Sequence, residues 1–191
     1  MSIYITRHGQ TNWNIERRFQ GRTDNKLNEN GINQAHEVAE KLANEPLDLI
    51  ICSPLIRAIQ TAEIINKKRG IPILIDENLL ERDYGELEGC YLKDFDFKNI
   101  WSYDNSQICT SGESVKDLFK RVYNFLDKLR KVYPNRNILL VAHGGISIAV
   151  NCYFNGIPED GELLKTGLAN CEYAKYDFNR IKQGEMDYEF N

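Results

Sequence analysis

Residues 4–9 read Tyr-Ile-Thr-Arg-His-Gly, with Gln-Thr-Asn-Trp-Asn at 10–14 directly behind. Ile3, Tyr4 and Ile5 make a short, β-branched-rich opening of the kind that suits a buried strand. The run then sets an arginine beside a histidine and stops on a glycine, as a strand does where it gives way to a loop. A first strand that carries two adjacent basic groups to its carboxyl end raises a question of chemistry as well as of fold.

Three further runs resemble the first: residues 47–52, 71–75 and 138–142. Their nearly continuous apolar content predicts strands covered on both faces. Helical patterns lie between them. Ala35, Val38, Ala39 and Leu42 recur at i, i+3, i+4 and i+7, and Val115, Leu118, Phe119, Val122, Leu126, Leu129 and Val132 form one apolar stripe over about five turns. Ser114, with Asp117 three residues on, predicts a capped helix start. Ser53-Pro54 reads as an N-cap followed by proline at the first helical position, with Leu55, Ile59 and Ala62 continuing the buried face. Strands alternating with helices predict an α/β fold, a three-layer α/β/α sandwich around a mostly parallel sheet. Ligands of such sheets bind beyond the carboxyl ends of the strands. Here those ends lead into Arg7-His8, into residues 53–57 with Arg57, and into His143-Gly144-Gly145.

At 191 residues the chain is expected to form one domain, residues 1–191. Residues 91–110 hold Tyr91, Phe95, Phe97, Trp101 and Tyr103 without a period and are expected to be a cap or specificity segment. From residue 170 the chain alternates like a half-exposed strand, suited to an antiparallel edge. A formal charge of −4 argues against a nucleic-acid partner, which requires a basic excess. Five cysteines (Cys52, Cys90, Cys109, Cys152, Cys171) form no close pair and read as reduced, apolar fillers in a cytoplasmic chain. Arg7 and His8 interrupt the only early apolar run, so no signal peptide is expected, and no run reaches the ~18 residues of a membrane span. Monomer and homo-oligomer are both open.

Arg7, His8, Arg57 and His143 at one sheet edge would surround a compact, doubly charged anion. The arginine fork matches phosphate oxygens, and cations beside an imidazole disfavour its protonation. A neutral imidazole is a nucleophile, and phosphoryl transfer asks mainly for in-line positioning and charge on the equatorial oxygens. The departing alkoxide also needs a proton. Leu79-Leu80-Glu81-Arg82-Asp83-Tyr84-Gly85 offers Glu81 at the end of a strand-like segment, with Asp83 as competitor. Zinc on His8, His143 and a carboxylate is disfavoured, because no pair has i, i+4 spacing and two arginines repel a cation; no metal or cofactor is expected. Gly145-Ile146-Ser147-Ile148-Ala149 nearly fits a serine-hydrolase elbow, but that fold needs a histidine downstream and none follows His143. Ser147 therefore reads as packing or capping at a helix start, and His36 as a surface residue.

Arg7-His8-Gly9 with Thr11 and Asn14, then Arg18-Phe19-Gln20-Gly21, resembles the signature of the histidine phosphatase superfamily, the phosphoglycerate-mutase-like proteins. Residues 53–62, Leu80-Glu81-Arg82-Asp83-Tyr84-Gly85 through Gly89, and Val141-Ala142-His143-Gly144-Gly145 resemble its remaining motifs, in order. The resemblance implies a metal-free, two-step reaction on a small phosphate monoester. His8 would be phosphorylated, Glu81 would donate the proton, and Arg7, Arg57 and His143 would hold the phosphoryl group. Asn14, Gln20, Gly21, Thr11, Arg82, Tyr84 and Gly144 would complete the substrate pocket. Cofactor-dependent mutases of the family carry a longer segment after the acid loop, with paired arginines. Between Gly89 and Ser114 this chain has Lys93 and Lys98 and no arginine. The expectation is therefore a phosphatase, for example of alpha-ribazole phosphate or a phosphosugar. A phosphoglycerate mutase, or a non-catalytic phospho-ligand-binding module, is the alternative.

Overall fold

A computed structural model describes residues 1–103 and 111–180, so Cys109 and the end of the expected 91–110 segment lie outside the described residues. In chain order the elements are β1 (Ser2–Arg7), α1 (Asn12–Ile15), α2 (Glu29–Leu42), β2 (Leu49–Cys52), α3 (Ile56–Asn66), β3 (Ile73–Ile75), α4 (Phe97–Ile100), α5 (Val115–Val132), β4 (Ile138–Ala142), α6 (Gly144–Asn155) and β5 (Tyr173–Asp177). The sheet order is β3-β2-β4-β1-β5. Its pairs are parallel except β1 with β5, where the alternating tail closes the edge antiparallel.

The three layers follow from the period-2 pleat. Ile3, Ile5, Leu49, Ile51, Ile138 and Leu140 pack on one face with α5 and α6. Tyr4, Ile50, Cys52, Leu139 and Val141 pack on the other with α2 and α3. The buried residues of β1, β2 and β4 are therefore apolar except Thr6, whose hydroxyl donates to the Glu172 carbonyl at 2.9 Å, and each full apolar burial contributes roughly 2 kcal/mol.

Register brings the functional ends together. Arg7 stands opposite Ala142, and Cys52 opposite Val141. Just past these pairs, the His8 N–H donates to the Ala142 carbonyl at 2.9 Å and the Ser53 N–H to the Val141 carbonyl at 3.0 Å. Three chain segments thus leave the sheet side by side, each with a polar side chain next in sequence.

Several local expectations are corrected. The run at 71–75 gives only a three-residue strand, with Leu74 and Ile75 exposed, because β3 is the edge of the sheet among the described residues. Val132 is 55% exposed at the end of the α5 stripe. The third helix starts at Ile56, not at Pro54, and the Asp24 carboxylate accepts the Ile56 N–H at 2.7 Å. Its buried face is Ala58, Thr61, Ala62 and Ile65, with Arg57 drawn inward and Ile59 only half-buried. The segment before Glu81 is a 3-10 turn, Glu77–Leu79, with no strand. Lys68 and Arg69 tie the end of α3 to α2 through Glu40 and the carbonyls of Leu42 and Glu45. His36 is exposed; Cys52, Cys152 and Cys171 are buried free thiols, and Cys90 is half-buried.

Candidate active site

His8 is almost fully buried at the mouth of β1. Its Nδ1 lies 2.7 Å from the Gly9 carbonyl, which can only accept, so the neutral ring carries its proton on Nδ1 and a lone pair on Nε2. The loop behind it is pinned. The Gly9 N–H donates to Thr61 Oγ1 at 3.1 Å, and the Asn170 amide donates to the His8 carbonyl at 2.9 Å. Gly9 and Gly31 face each other so closely that a Cβ on either would strike opposing backbone, which sets α2 flat against this loop. Burial, then the Arg57 and Arg7 cations, hold His8 well below its ordinary value of 6.5, against the Gly9 bond.

Arg57, in the first turn of α3, is fully buried and donates to the carbonyls of Thr23 (2.8 Å) and Gly21 (2.7 Å). Gly21 takes φ +51°, and a side chain there would meet Glu88, whose carboxylate accepts the Arg22 and Thr23 N–H groups at 2.8 Å each. Burial lowers the Arg57 guanidinium to about 10, opposed by Glu81 and Asp24. Arg7 donates to the Leu168 carbonyl at 3.2 Å and is also lowered by burial. His143 is fully buried, its ring centre 5.2 Å from that of His8, and its Nε2 is 2.7 Å from Ser53 Oγ. Burial and Arg57, then His8 and Arg7, hold it well below 6.5. Arg7 Nε, Arg57 Nε and His143 Nδ1 are buried without a hydrogen-bond partner among the described residues. Buried polar nitrogens are normally satisfied, so two guanidinium N–H groups with an imidazole nitrogen in their company mark a place built for an acceptor.

Glu81 is buried beside this cluster. Its Oε1 accepts the Arg82 N–H at 2.8 Å and its Oε2 the Gly145 N–H at 3.1 Å. The competing Asp83 instead lies 3.5 Å from Arg22 and accepts the Gly85 N–H at 2.8 Å, away from the cavity. Arg121 braces the acid loop. It donates to the Asn78 and Leu80 carbonyls (2.6 and 3.0 Å) and pairs bidentately with Glu113 (2.9 and 2.8 Å).

Arg7, His8, Arg57 and Glu81 line one cavity of about 510 Å³. Asn14, Gln20, Gly21, Tyr84 and Gly144 share the lining; His143 is not part of it and reaches it as the ring neighbour of His8, 5.2 Å away. Thr11 and Arg82 are not in that wall. Thr11 caps α1 and hydrogen-bonds Gln20 Oε1 at 2.9 Å. Arg82 donates to the Glu113 and Ile100 carbonyls (2.8 and 2.6 Å) and lies over the Tyr84 and Trp101 rings. Both hold lining residues in place. The aromatic segment contributes Leu92, Phe97 and Trp101, and the Trp101 Nε1–H donates to the Tyr84 hydroxyl at 3.1 Å. Sequence reasoning missed Arg17, Leu168 and Asn170 in the lining, and Ser53 behind it. The Arg17-Arg18 pair beside Phe19 was a usable signal; nothing local marked residues 168–170, which reach the site only through the return to β5. Among the described residues no three His, Cys, Asp or Glu side chains form a metal-binding group, and no helix is long and apolar enough to cross a membrane.

The family model described as histidine phosphatase superfamily (branch 1) matches residues 3–186. The chain is 36% identical over 190 residues to "Uncharacterized phosphatase PhoE" of Bacillus subtilis, covering 100% of this chain and 95% of that one. It is 33% identical to "Probable phosphoglycerate mutase GpmB" of Yersinia pestis, covering 93% and 85%. Its fold is similar to a mycobacterial glucosyl-3-phosphoglycerate phosphatase, Rv2419c, solved with VO3, at TM-score 0.81 and 29% identity over 91% of each chain. A match across nearly the whole chain, together with the site geometry, places the protein: it belongs to the histidine phosphatase superfamily.

Proposed function

We propose that the protein is a metal-independent phosphomonoesterase that works through a phosphohistidine at His8. The observation that carries this reading is the orientation of His8: Nδ1 is engaged by Gly9, which leaves Nε2 as the nucleophile among partnerless nitrogens of Arg7, Arg57 and His143. Depressed protonation keeps that lone pair available at neutral pH.

In the first step Nε2 attacks phosphorus, the P–O bond breaks, and its electron pair stays on the leaving oxygen. Glu81 gives that oxygen a proton. In the second step water attacks the phosphohistidine, the P–N bond breaks, and the Glu81 carboxylate accepts the water's proton. Arg7, Arg57 and His143 hold the equatorial oxygens throughout, where preorganised charge lowers the barrier most. Two buried guanidiniums oppose a metal cation in the same space, which supports the metal-independent form.

The substrate is a small organic phosphate, such as a phosphosugar or alpha-ribazole phosphate. The cavity volume exceeds what a bare phosphate needs, and Phe97, Leu92 and Trp101 supply an apolar wall for a leaving group. Hydrolysis is favoured over mutase transfer because neither cation of the 89–114 stretch joins the lining, whose further cations, Arg17 and Arg18, come instead from the turn after α1. Lys93 lies over the Tyr91 ring, and Lys98 pairs with Glu162 at 3.0 Å.

The test is hydrolysis of p-nitrophenyl phosphate in EDTA, with vanadate as inhibitor and acid-labile phosphate trapped on His8. His8→Ala is expected to abolish both turnover and trapping. A variant that still turns over at the wild-type rate would refute the mechanism, and phosphoglycerate interconversion would establish the mutase instead.

A further inference from the structure

Ser53 enters the sequence as a helix cap and is left without that role by a helix that begins three residues later. Its hydroxyl is fully buried and makes two contacts: His143 Nε2 at 2.7 Å, and the Leu55 N–H, which it accepts at 3.4 Å. A hydroxyl has one proton to give. Leu55 can only donate to it, so among the described residues the one acceptor bonded to the Ser53 hydroxyl is His143 Nε2.

We propose that Ser53 is a positioning residue that sets the tautomer of His143, donating to Nε2 so that the ring proton resides on Nδ1 and serves as a donor to the bound anion. Nδ1 is the nitrogen of that ring that is buried and partnerless, in company with the Nε atoms of Arg7 and Arg57. The opposite tautomer would present a lone pair to the anion and strand the buried Ser53 proton. The inference extends the functional reading above. It makes the two histidines complementary: the same tautomer, Nδ1–H, is imposed on His8 by a carbonyl and on His143 by a hydroxyl. One ring thereby offers a lone pair to phosphorus and the other a proton to its oxygen. Burial and the neighbouring cations keep His143 neutral, which is why its tautomer matters.

The test reads the tautomer directly, by long-range ¹H–¹⁵N correlation on His143 in the resting protein, with no substrate required. The wild type is expected to carry its proton on Nδ1. Ser53→Ala is expected to lose that preference and to lower kcat and vanadate affinity by about tenfold or more, within the range for outer-contact residues. Ser53→Thr, which keeps the hydroxyl, is expected to restore the tautomer. A proton on Nε2 in the wild type overturns the assignment, whether or not any variant folds. So does Ser53→Ala with an unchanged tautomer and wild-type vanadate affinity. An Nδ1 proton that Ser53→Ala abolishes supports it even if no ester is hydrolysed, in which case the functional reading alone fails.

Discussion

Gly145 donates its backbone N–H to Glu81 Oε2 at 3.1 Å, and a Cβ on Gly145 would collide with Glu81 Oε1 and with the Trp101 ring. The first turn of α6 and the acid loop are therefore fitted to each other through a missing side chain, although 64 residues separate them in sequence.

Gly145→Ala is expected to displace the Glu81 carboxyl and remove proton donation while leaving the phosphate clamp in place. General acid catalysis contributes roughly 10²–10⁴-fold. The loss should fall on alkyl phosphates, whose alkoxide needs a proton, and far less on p-nitrophenyl phosphate, whose leaving group does not. Comparing kcat for the two substrates checks this, with Glu81→Gln as reference. Equal losses on both would contradict it.

The two buried histidines make a pH prediction. Their folded values lie well below 6.5, so above 6.5 folded and unfolded chains are both neutral there and the full stability is present. As pH falls below 6.5 the unfolded chain takes up protons that the native chain refuses, and stability declines toward the folded values. Urea denaturation from about pH 7.5 down to about pH 5 should show this decline, with a shallower slope in His143→Gln. Removing the Arg57 cation makes protonation of His8 easier, so Arg57→Gln should move the His8 titration upward by NMR.

Arg17 lines the cavity and, among the described residues, has no carboxylate partner, whereas its neighbour Arg18 is paired with Glu16 and bonded to Tyr91. Where the leaving portion of a substrate carries a second negative group, Arg17 is the cation expected to meet it. Arg17→Ser should raise KM for a phosphorylated carboxylic acid by roughly two- to fivefold, the scale of an exposed ion pair. The effect on an uncharged aryl phosphate should be smaller. Steady-state kinetics on the pair would decide; identical shifts would remove Arg17 from specificity.

Arg121 joins Glu113 to the carbonyls of Asn78 and Leu80, and the Arg121 and Glu113 side chains are only 17% and 12% exposed. Arg121→Leu should strip the Glu113 carboxylate of its bidentate partner, leaving Arg22 at 4.0 Å as its remaining cation, and cost about 2–3 kcal/mol. That corresponds to a fall in Tm on the order of 10 °C for a chain of this size. Calorimetry checks the prediction, and an unchanged Tm would show that the acid loop does not depend on this brace.

What the chain spelled out locally was the rhythm of its elements. Period-2 apolar runs and a 3.6-period stripe are properties of neighbouring residues, so the sandwich, the antiparallel tail and the edge carrying Arg7, His8, Arg57 and His143 could be read in order. Where a residue's partner comes from a distant segment, the reading went astray. Ser53 looked like a cap because serine before proline caps helices; its hydroxyl is taken instead by His143, 90 residues away. Arg82 looked like a substrate ligand beside Glu81, yet its guanidinium is claimed by the carbonyls of Ile100 and Glu113. Leu168 and Asn170 had no local signature, since only the return to β5 carries them to Arg7 and His8. Patterning selects which face of each element is buried, because burial acts on every residue by its own polarity. Which nitrogen carries a proton, and which donors lack a partner, depends on contacts that exist only after the layers have packed.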